Sequence, residues 1–202
     1  VFNHIYSTNH WGSASTLSGP GSELVATEKL IPQLNNIFEK YGTKLILDCP
    51  CGDFNWIKYA DLAKRKYIGV DIVKDLIETN IQNYKTDNID FKLLDLTKDA
   101  LPHADLVLCR DGLVHFNYQD IFKSLKQIKQ SESKYLLTTT FNQFPANYDI
   151  RTGDWRPINL LKKPFNFPEP IFTINEFMPS SISKHYTKSL SLWLIESLGI
   201  PK

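Results

Sequence analysis

Cysteine and methionine are scarce in this chain of 202 residues, and long apolar runs are missing. There are three cysteines, Cys49, Cys51 and Cys109, a low and odd number that argues against a disulfide scaffold. Such a low cysteine count is typical of proteins in the reducing cytoplasm. No stretch approaches the roughly 18 apolar residues of a membrane span. The first ten residues, VFNHIYSTNH, show neither the basic nor the apolar segment of a signal peptide. We therefore expect a cytoplasmic protein with no membrane partner.

The sequence also lacks an excess of either charge. Its formal net charge is +1, with 23 Lys and Arg against 22 Asp and Glu. A nucleic-acid partner thus gets no support from overall electrostatics. With 42% hydrophobic residues and no internal repeat, residues 1–202 predict one domain with a sizeable core. The oligomeric state is not predicted.

What the chain does contain is an alternation of apolar runs with amphipathic stretches. Apolar runs predict strands buried on both faces at 44–50, 66–72, 91–96, 104–110 and 134–141. Helical periodicity predicts helices at 21–42, with a kink or late start at Pro32, and at 56–65, 73–84 and 118–130. This order predicts an α/β fold: a doubly wound, mainly parallel, Rossmann-like sheet with helices on both faces.

Two stretches lie outside the alternation. Residues 1–23 contain Trp11 and several glycines and predict an ordered N-terminal lid. Residues 142–187 are rich in Asn, Pro and Phe, too aromatic for a linker, and predict an inserted substrate-binding region. The run KSLSLWLIESLG from 188 to 199 predicts a closing strand at the final edge of the sheet.

Acidic residues recur near the ends of successive predicted strands, at Asp48, Asp71, Asp95 and Asp111. Ligands of such sheets bind beyond the carboxyl ends of the strands. Gly52 precedes Asp71 by 19 positions (71 − 52), the spacing of one nucleotide-binding unit. Gly52 would admit a ligand to the backbone, and the helix predicted after it would offer N–H groups to an anion. Asp71 would accept hydrogen bonds from ribose hydroxyls. Four carboxylates in register favour a nucleotide site over helix caps.

At these residues the chain resembles the class I S-adenosylmethionine-dependent methyltransferases. The segment LDCPCGDFNW (47–56) is similar to their first loop, and CRDGLVHF (109–116) to the segment facing donor and acceptor. The resemblance covers about residues 24–141 and 188–198. It departs where Pro50 and Phe54 replace two of the three usual glycines.

The resemblance implies S-adenosyl-L-methionine as cofactor. It places the ribose at Asp71 and the adenine at Asp95 and the N–H of Leu96, with Trp11 as part of the lid. The full set of implied cofactor residues is Asp48, Pro50, Cys51, Gly52, Asp53, Trp56, Asp71, Ile72, Asp95, Leu96, Arg110 and Trp11.

Three segments resemble a narrower group of bacterial methyltransferases associated with surface-glycan and capsule pathways. They are PCGDFNW (50–56), WGSASTLSGPGSE (11–23) and NYDIRTGDWRPINLLKKPFNFPEP (147–170). This narrower resemblance implies a sugar-like acceptor in surface-polysaccharide biosynthesis.

His115 is the best candidate for a general base. Methyl transfer from a sulfonium requires alignment, exclusion of water and, for a hydroxyl nucleophile, a base. An ordinary pKa near 6.5 suits His115 to that role, and Asp111 would orient it or hold the acceptor. A packing role for His115 stays equally open, and the methylated atom is not predicted.

The loop DIRTGDWRP carries the predicted acceptor site. Paired arginines suit a planar anion, so we expect a small, phosphorylated or sugar-like acceptor. Ion pairing at the surface with Asp149 is the plainer alternative. The predicted substrate-binding residues are Arg151, Asp154, Trp155, Arg156, Tyr6 and Asn55.

Competing interpretations remain. A zinc site of the three cysteines with His115 is disfavoured by the unusual Cys-x-Cys spacing, so we expect no metal. A nicotinamide-dependent oxidoreductase would share Gly52 and Asp71, but Pro50 and Phe54 suit a pyrophosphate poorly. A non-catalytic S-adenosylmethionine-binding module would not need the CRDGLVH cluster. A nucleic-acid methyltransferase is disfavoured by the net charge.

Overall fold

The computed structural model describes residues 1–176 and 187–200, which form a seven-stranded sheet in the order β3-β2-β1-β4-β5-β7-β6. The strands are β1 Leu45–Asp48, β2 Lys66–Asp71, β3 Ile89–Leu93, β4 Leu106–Cys109, β5 Tyr135–Thr140, β6 Phe172–Asn175 and β7 Ser189–Leu194. The first five are parallel to one another, and β7 runs antiparallel to both β5 and β6. The predicted doubly wound, mainly parallel sheet is confirmed.

The closing strand is present, but its predicted place at the edge of the sheet is wrong. β7 lies between β5 and β6, and β6 forms the edge. β6 falls in the stretch predicted as an insertion, and its signal is weak because Ile174 is the one fully buried residue among its four. Part of that predicted insertion, 177–186, lies outside the described residues.

Three predicted helices correspond to helices of the structure. Within the described residues, the α-helices are α1 Phe2–Ser7, α2 Leu24–Thr27, α3 Leu30–Lys40, α4 Lys74–Tyr84 and α5 Tyr118–Gln130. Pro32 stands in the first turn of α3, where its missing N–H costs nothing, so the predicted late start is confirmed. The side chain of Asn117 caps α5 by accepting a hydrogen bond from the N–H of Asp120 at 2.8 Å.

The helix predicted at 56–65 is wrong. The structure has only a single 3₁₀ turn there, Ile57–Tyr59. Tertiary hydrogen bonds replace the helical ones, because Asp61 N–H donates to Asn35 Oδ1 at 2.8 Å and Arg65 Nη1 donates to the Asp61 carbonyl at 2.7 Å. No α-helix therefore follows the first loop to offer N–H groups to an anion.

Two apolar cores cover the two faces of the sheet. Along β1, Ile46 packs with α3 and α4 on one face, and Leu47 packs with α5 on the other. Successive side chains of a strand point to opposite faces, which explains this division. Across 1–176 and 187–200, no helix has both the length and the apolar character that crossing a bilayer needs.

Candidate functional site

A cavity of about 370 Å³ opens at the carboxyl ends of β1, β2 and β4. This is the position at which open α/β sheets bind ligands. Of the residues predicted from the sequence, the structure brings the following to the cavity wall: Tyr6, Trp11, Asp48, Pro50, Cys51, Gly52, Trp56, Asp71, Ile72, Asp95, Leu96, Arg110, Asp111 and His115. Asp71 and Asp95, the expected ribose and adenine residues, thus line the same cavity.

The first loop is shaped by Gly52 and Phe54. Gly52 has φ +56°, and a Cβ there would lie 2.2 Å from Ser18 Oγ, so any larger residue would be strained and would displace Ser18. Phe54 also has a positive φ, +59°, which a residue with a bulky side chain seldom adopts. Its ring is buried against Tyr67 and Phe91, and this packing offsets the backbone cost.

Asp71 is fixed at the cavity edge by two backbone groups. Its Oδ2 accepts from Gly52 N–H at 3.2 Å, and its Oδ1 accepts from Val73 N–H at 3.1 Å. Burial raises the pKa of Asp71, although the hydrogen bonds from these two N–H groups act to lower it. Each carboxylate oxygen keeps a further lone pair with which to accept a hydroxyl.

Asp48 is buried at the end of β1 and accepts a hydrogen bond from Tyr67 Oη at 2.7 Å. Burial raises its pKa to about 7, although the Tyr67 hydroxyl and the Arg110 charge act in the opposite direction. Asp48 therefore changes its charge near neutral pH, beside the cavity.

Asp95 lies two residues beyond β3. Its Oδ1 accepts from the N–H and the hydroxyl of Thr97 at 2.9 and 2.7 Å, and Lys98 Nζ lies 3.1 Å from Oδ2. Partial burial would raise the pKa of Asp95, but these bonds outweigh it and lower the pKa. Asp95 is thus a fixed, ionised acceptor.

Asp53 and Asn55 do not face the cavity, which corrects two predicted ligand contacts. Both hold the segment of residues 11–23, here called the cover. Asp53 accepts from Thr16 Oγ1 at 2.6 Å, from Leu17 N–H at 2.9 Å and from Ser18 Oγ at 2.9 Å. Asn55 Nδ2 donates to the Ser22 carbonyl at 3.1 Å. The two motifs PCGDFNW and WGSASTLSGPGSE are therefore parts of one hydrogen-bonded unit.

A cluster of four ionic groups lies beside the cavity, and three of them, Arg110, Glu176 and Lys188, are buried. Arg110 donates to Glu176 Oε2 at 2.6 Å, and Lys188 lies 3.3 Å from the same oxygen and pairs with Asp111. Arg110 also stacks on the Trp56 ring, with 5.0 Å from Cζ to the centroid. Burial would raise the pKa of Asp111, but Lys188 and Arg110 outweigh it and hold the pKa well below its ordinary value. Asp111 is therefore a permanent carboxylate and a poor base.

His115 lies at the other end of the cavity. Its Nδ1 is 2.9 Å from the Asp154 carbonyl, which only accepts hydrogen bonds, so Nδ1 carries the proton and Nε2 keeps its lone pair. The imidazole lies against the Trp11 ring, with 4.9 Å between centroids and 32° between planes. Burial lowers the pKa of His115, and the neutral form is favoured at neutral pH.

No protein-family model matches the chain, and no curated protein matches it. Solved structures do. An S-adenosylmethionine-dependent methyltransferase from Leishmania major aligns over 94% of this chain and 83% of its own, with a TM-score of 0.70 and 17% identity. One from Anabaena variabilis aligns over 95% and 92%, with a TM-score of 0.64 and 13% identity. Magnesium protoporphyrin IX methyltransferase from Synechocystis aligns over 94% and 92%, with a TM-score of 0.62 and 12% identity.

This chain has the class I methyltransferase fold. Identities this low show the fold alone, so the site is argued from its own residues. The alignments cover between 83% and 92% of the length of these proteins, so the likeness extends over most of each fold.

Within the methyltransferase fold, the predicted acceptor loop does not supply a pair of arginines to the cavity. Arg156 is completely buried, with its guanidinium on backbone carbonyls, so its predicted contact with an acceptor anion is wrong. Arg151 and the Asp154 side chain are exposed and do not line the cavity. Trp155, 37% exposed, packs edge-on against Phe141, also away from the cavity wall.

The three cysteines are free and buried. Burial raises the pKa of each thiol, to about 12 for Cys109, which disfavours the thiolate that a metal needs. Over residues 1–176 and 187–200, no group of three His, Cys, Asp or Glu side chains is placed to hold a metal ion.

Sequence reasoning missed part of the site. Glu176 and Lys188 belong to the ionic cluster beside the cavity, and their long separation from Arg110 left no local signal. Helix α1 is also absent from the sequence prediction, which gives residues 1–23 as an ordered lid without a helix. It brings an apolar wall to the cavity, made of Val1, Phe2, Ile5 and Tyr6 with Phe116 opposite.

Proposed function

We propose that this protein is an S-adenosylmethionine-dependent methyltransferase that O-methylates a small polar acceptor. One observation carries the proposal: Asp71 and Asp95 line the same cavity as Asp111 and His115. The first two suit an adenosyl group, and the last two lie where a reacting hydroxyl would be held. Two of the similar structures contain S-adenosylmethionine or S-adenosylhomocysteine, which supports the choice of donor.

The donor would be held by the strand ends. Asp71 would accept from the ribose hydroxyls, and Asp95 with the N–H of Leu96 would bind the adenine edge. Asp48 and the loop from Pro50 to Gly52 would hold the methionine part. When bound, S-adenosylmethionine supplies an activated methyl group on a sulfonium.

The acceptor would be prepared by His115 and Asp111. The Asp154 carbonyl keeps the His115 proton on Nδ1, so Nε2 is free to take a hydroxyl proton. Asp111 stays ionised and would orient the same hydroxyl by accepting its hydrogen bond. Trp11, Phe2 and Phe116 would exclude water from the reacting atoms.

A neutral acceptor fits better than an anionic one. The lysines and the arginine that line the cavity each have a carboxylate partner: Lys98 with Asp95 at 3.1 Å, Lys123 with Asp120 at 3.1 Å, and Arg110 with Glu176 at 2.6 Å. The phosphorylated acceptor was inferred from Arg151 and Arg156, which lie elsewhere. A sugar-like hydroxyl compound remains our proposal, and the role in bacterial surface-polysaccharide biosynthesis has the sequence resemblance as its only support.

The competing functions are less well supported. Dinucleotide-binding sheets are mostly parallel with the order 3-2-1-4-5-6, whereas here an antiparallel β7 is inserted before the edge strand. A non-catalytic module would have no use for a base with a fixed tautomer beside a permanent carboxylate.

Calorimetry with S-adenosylhomocysteine and with NAD separates these functions. We expect heat of binding with the first compound and none with the second. Methyl transfer is then tested with a labelled donor against matched sugars with and without a phosphate. Binding of NAD without binding of S-adenosylhomocysteine would contradict the proposed methyltransferase. Faster labelling of the phosphorylated sugars would contradict the proposed neutral acceptor.

A further inference from the structure

We propose that Arg156 is a positioning residue for His115, acting through the turn that carries it. The importance of that turn for catalysis rests on the proposed function. The sequence predicts that Arg156 binds an anion, yet its guanidinium lies inside the protein and is 0% exposed. Burying a charge is costly unless hydrogen bonds compensate it, so the partners of this guanidinium matter.

The guanidinium spans the carbonyls of the turn formed by residues 113–116. Its Nη1 donates to Leu113 O at 3.1 Å and to Val114 O at 2.9 Å, and its Nη2 donates to Phe116 O at 2.9 Å. The carbonyls on either side of His115 are thereby fixed to one rigid, planar group. A planar fork with several donors can do this, whereas a lysine ammonium donates from a single point.

The backbone around Arg156 holds His115 itself. Gly153 N–H donates to the His115 carbonyl at 2.8 Å, and the Asp154 carbonyl accepts from the His115 ring. Arg156 N–H donates to Val114 O at 3.2 Å. One segment, residues 153–156, therefore fixes the turn, the backbone of His115 and its tautomer together.

The other charged groups near His115 do not supply this restraint. Burial has the largest effect and lowers the pKa of His115. The bond to the Asp154 carbonyl and the charge of Asp111 raise that pKa, while the charges of Arg156 and Lys188 lower it. Trp11 contacts the ring but fixes no proton. The 153–156 segment bonds to both the carbonyl and the ring of His115, so loosening it should change the tautomer as well as the pKa.

The test is ¹⁵N NMR of the histidine rings in Arg156→Lys. The His115 ring signals are assigned as those that are absent from the spectrum of His115→Gln. In the wild type we expect protonated Nδ1 and bare Nε2. In Arg156→Lys the charge stays but the planar set of donors is lost. We therefore expect a mixture of His115 tautomers and a His115 pKa that falls further, because the Asp154 carbonyl, which raises this pKa, bonds to the ring less often. A folded Arg156→Lys protein with wild-type tautomer and pKa would overturn the proposal.

Arg65→Lys is the matched control. Arg65 is also buried, donates to the Asp61 carbonyl and pairs with Glu39, but it lies far along the chain from His115. The Arg65→Lys protein should be less stable than the wild type, while its His115 NMR signals should stay unchanged. A purely structural role for Arg156 predicts that both variants behave alike.

A measurement on the wild type covers the case in which Arg156→Lys does not fold. The Arg156 Nη–H resonances should shift during the pH titration of His115 with the same midpoint, because these groups donate to the carbonyls of the turn that carries His115. The Nε–H donates to the Tyr148 carbonyl instead and serves as the internal reference. Arg156 Nη–H resonances that ignore the titration would overturn the proposal.

S-adenosylhomocysteine binding keeps this proposal distinct from the proposed function. Arg156→Lys should retain the wild-type Kd within about threefold, since Arg156 does not line the cavity. Tenfold weaker binding would show that Arg156 supports the donor site instead. No binding by the wild type would refute the methyltransferase while leaving the tautomer result valid.

Discussion

The two halves of the cavity are built by different forces. The strand-end half, with Asp48, Asp71 and Asp95, is placed by the backbone hydrogen bonds of a parallel sheet. The loop half, made by residues of 1–23 and 111–116 with Thr152, is placed by side-chain hydrogen bonds across long stretches of sequence. The difference teaches that the proposed donor site is preformed by the sheet, while the proposed acceptor site depends on a few polar contacts that single substitutions can remove.

The largest effect that we predict is the pH dependence of stability through Asp48. Its pKa rises from 3.8 to about 7 on folding, so the folded state favours the neutral acid. The stability that this group contributes is complete below pH 3.8 and is lost as pH rises to about 7. Asp48→Asn mimics the neutral form, so it should gain up to about 4 kcal/mol relative to the wild type across that window.

Urea unfolding of the two proteins from pH 4 to pH 8 measures this difference. Tyr67→Phe sharpens the test, because the Tyr67 hydroxyl lowers the pKa of Asp48 and its loss should move the window to higher pH. A stability difference that stays constant over the whole range would contradict the assignment.

Removal of Asp71 should come next in size. Asp71→Ala loses two hydrogen bonds from ribose hydroxyls to a carboxylate, so S-adenosylhomocysteine should bind about 100-fold more weakly. Calorimetry gives the Kd, and Asp75→Ala, an exposed carboxylate at the start of α4, is the control. A change under threefold in Asp71→Ala would place the ribose elsewhere.

The third prediction uses two glycines to separate backbone strain from contact. Gly52 and Gly42 have φ of +56° and +62°, so alanine at either should cost roughly 1–2 kcal/mol of stability. Only at Gly52 does the new Cβ meet the cover, at Ser18; at Gly42 nothing lies within 4 Å. Gly52→Ala should therefore also weaken S-adenosylhomocysteine binding roughly tenfold, and Gly42→Ala should not. Equal affinities in the two variants would show that the cover does not matter for the donor.

The smallest effect is expected from Asp53, which holds the cover without touching the cavity. Asp53→Ala should weaken donor binding about fivefold and destabilise the protein by about 1 kcal/mol. In a double-mutant cycle, Asp53→Ala and Thr16→Val should show a coupling of about 1 kcal/mol. A loss as large as that of Asp71→Ala would mean that Asp53 contacts the donor directly.

The strand-end half could be predicted because its geometry follows from local sequence. Apolar runs give the strands, parallel strands end at one edge, and Asp71 follows Gly52 at the spacing of a nucleotide-binding unit. The helix at 56–65 failed because Asn35 and Arg65 compete for its backbone, which periodicity does not reveal.

The loop half could not be predicted to the same depth. Asp53 and Arg156 are residue types that often contact ligands. Here the Asp53 carboxylate accepts from Thr16, 37 positions away, and the Arg156 guanidinium donates to Leu113, 43 positions away. Both groups therefore make their hydrogen bonds within the protein. A single sequence shows that a polar group needs a partner, but not whether the partner is a ligand or another loop.

A crystal structure with S-adenosylhomocysteine tests the central claim most directly. The account predicts ribose hydroxyls within about 3 Å of the Asp71 carboxylate, adenine at Asp95 and Leu96, and the sulfur facing the space between Asp111 and His115. A nucleoside bound with its ribose away from Asp71, or with its sulfur turned from His115, would contradict it.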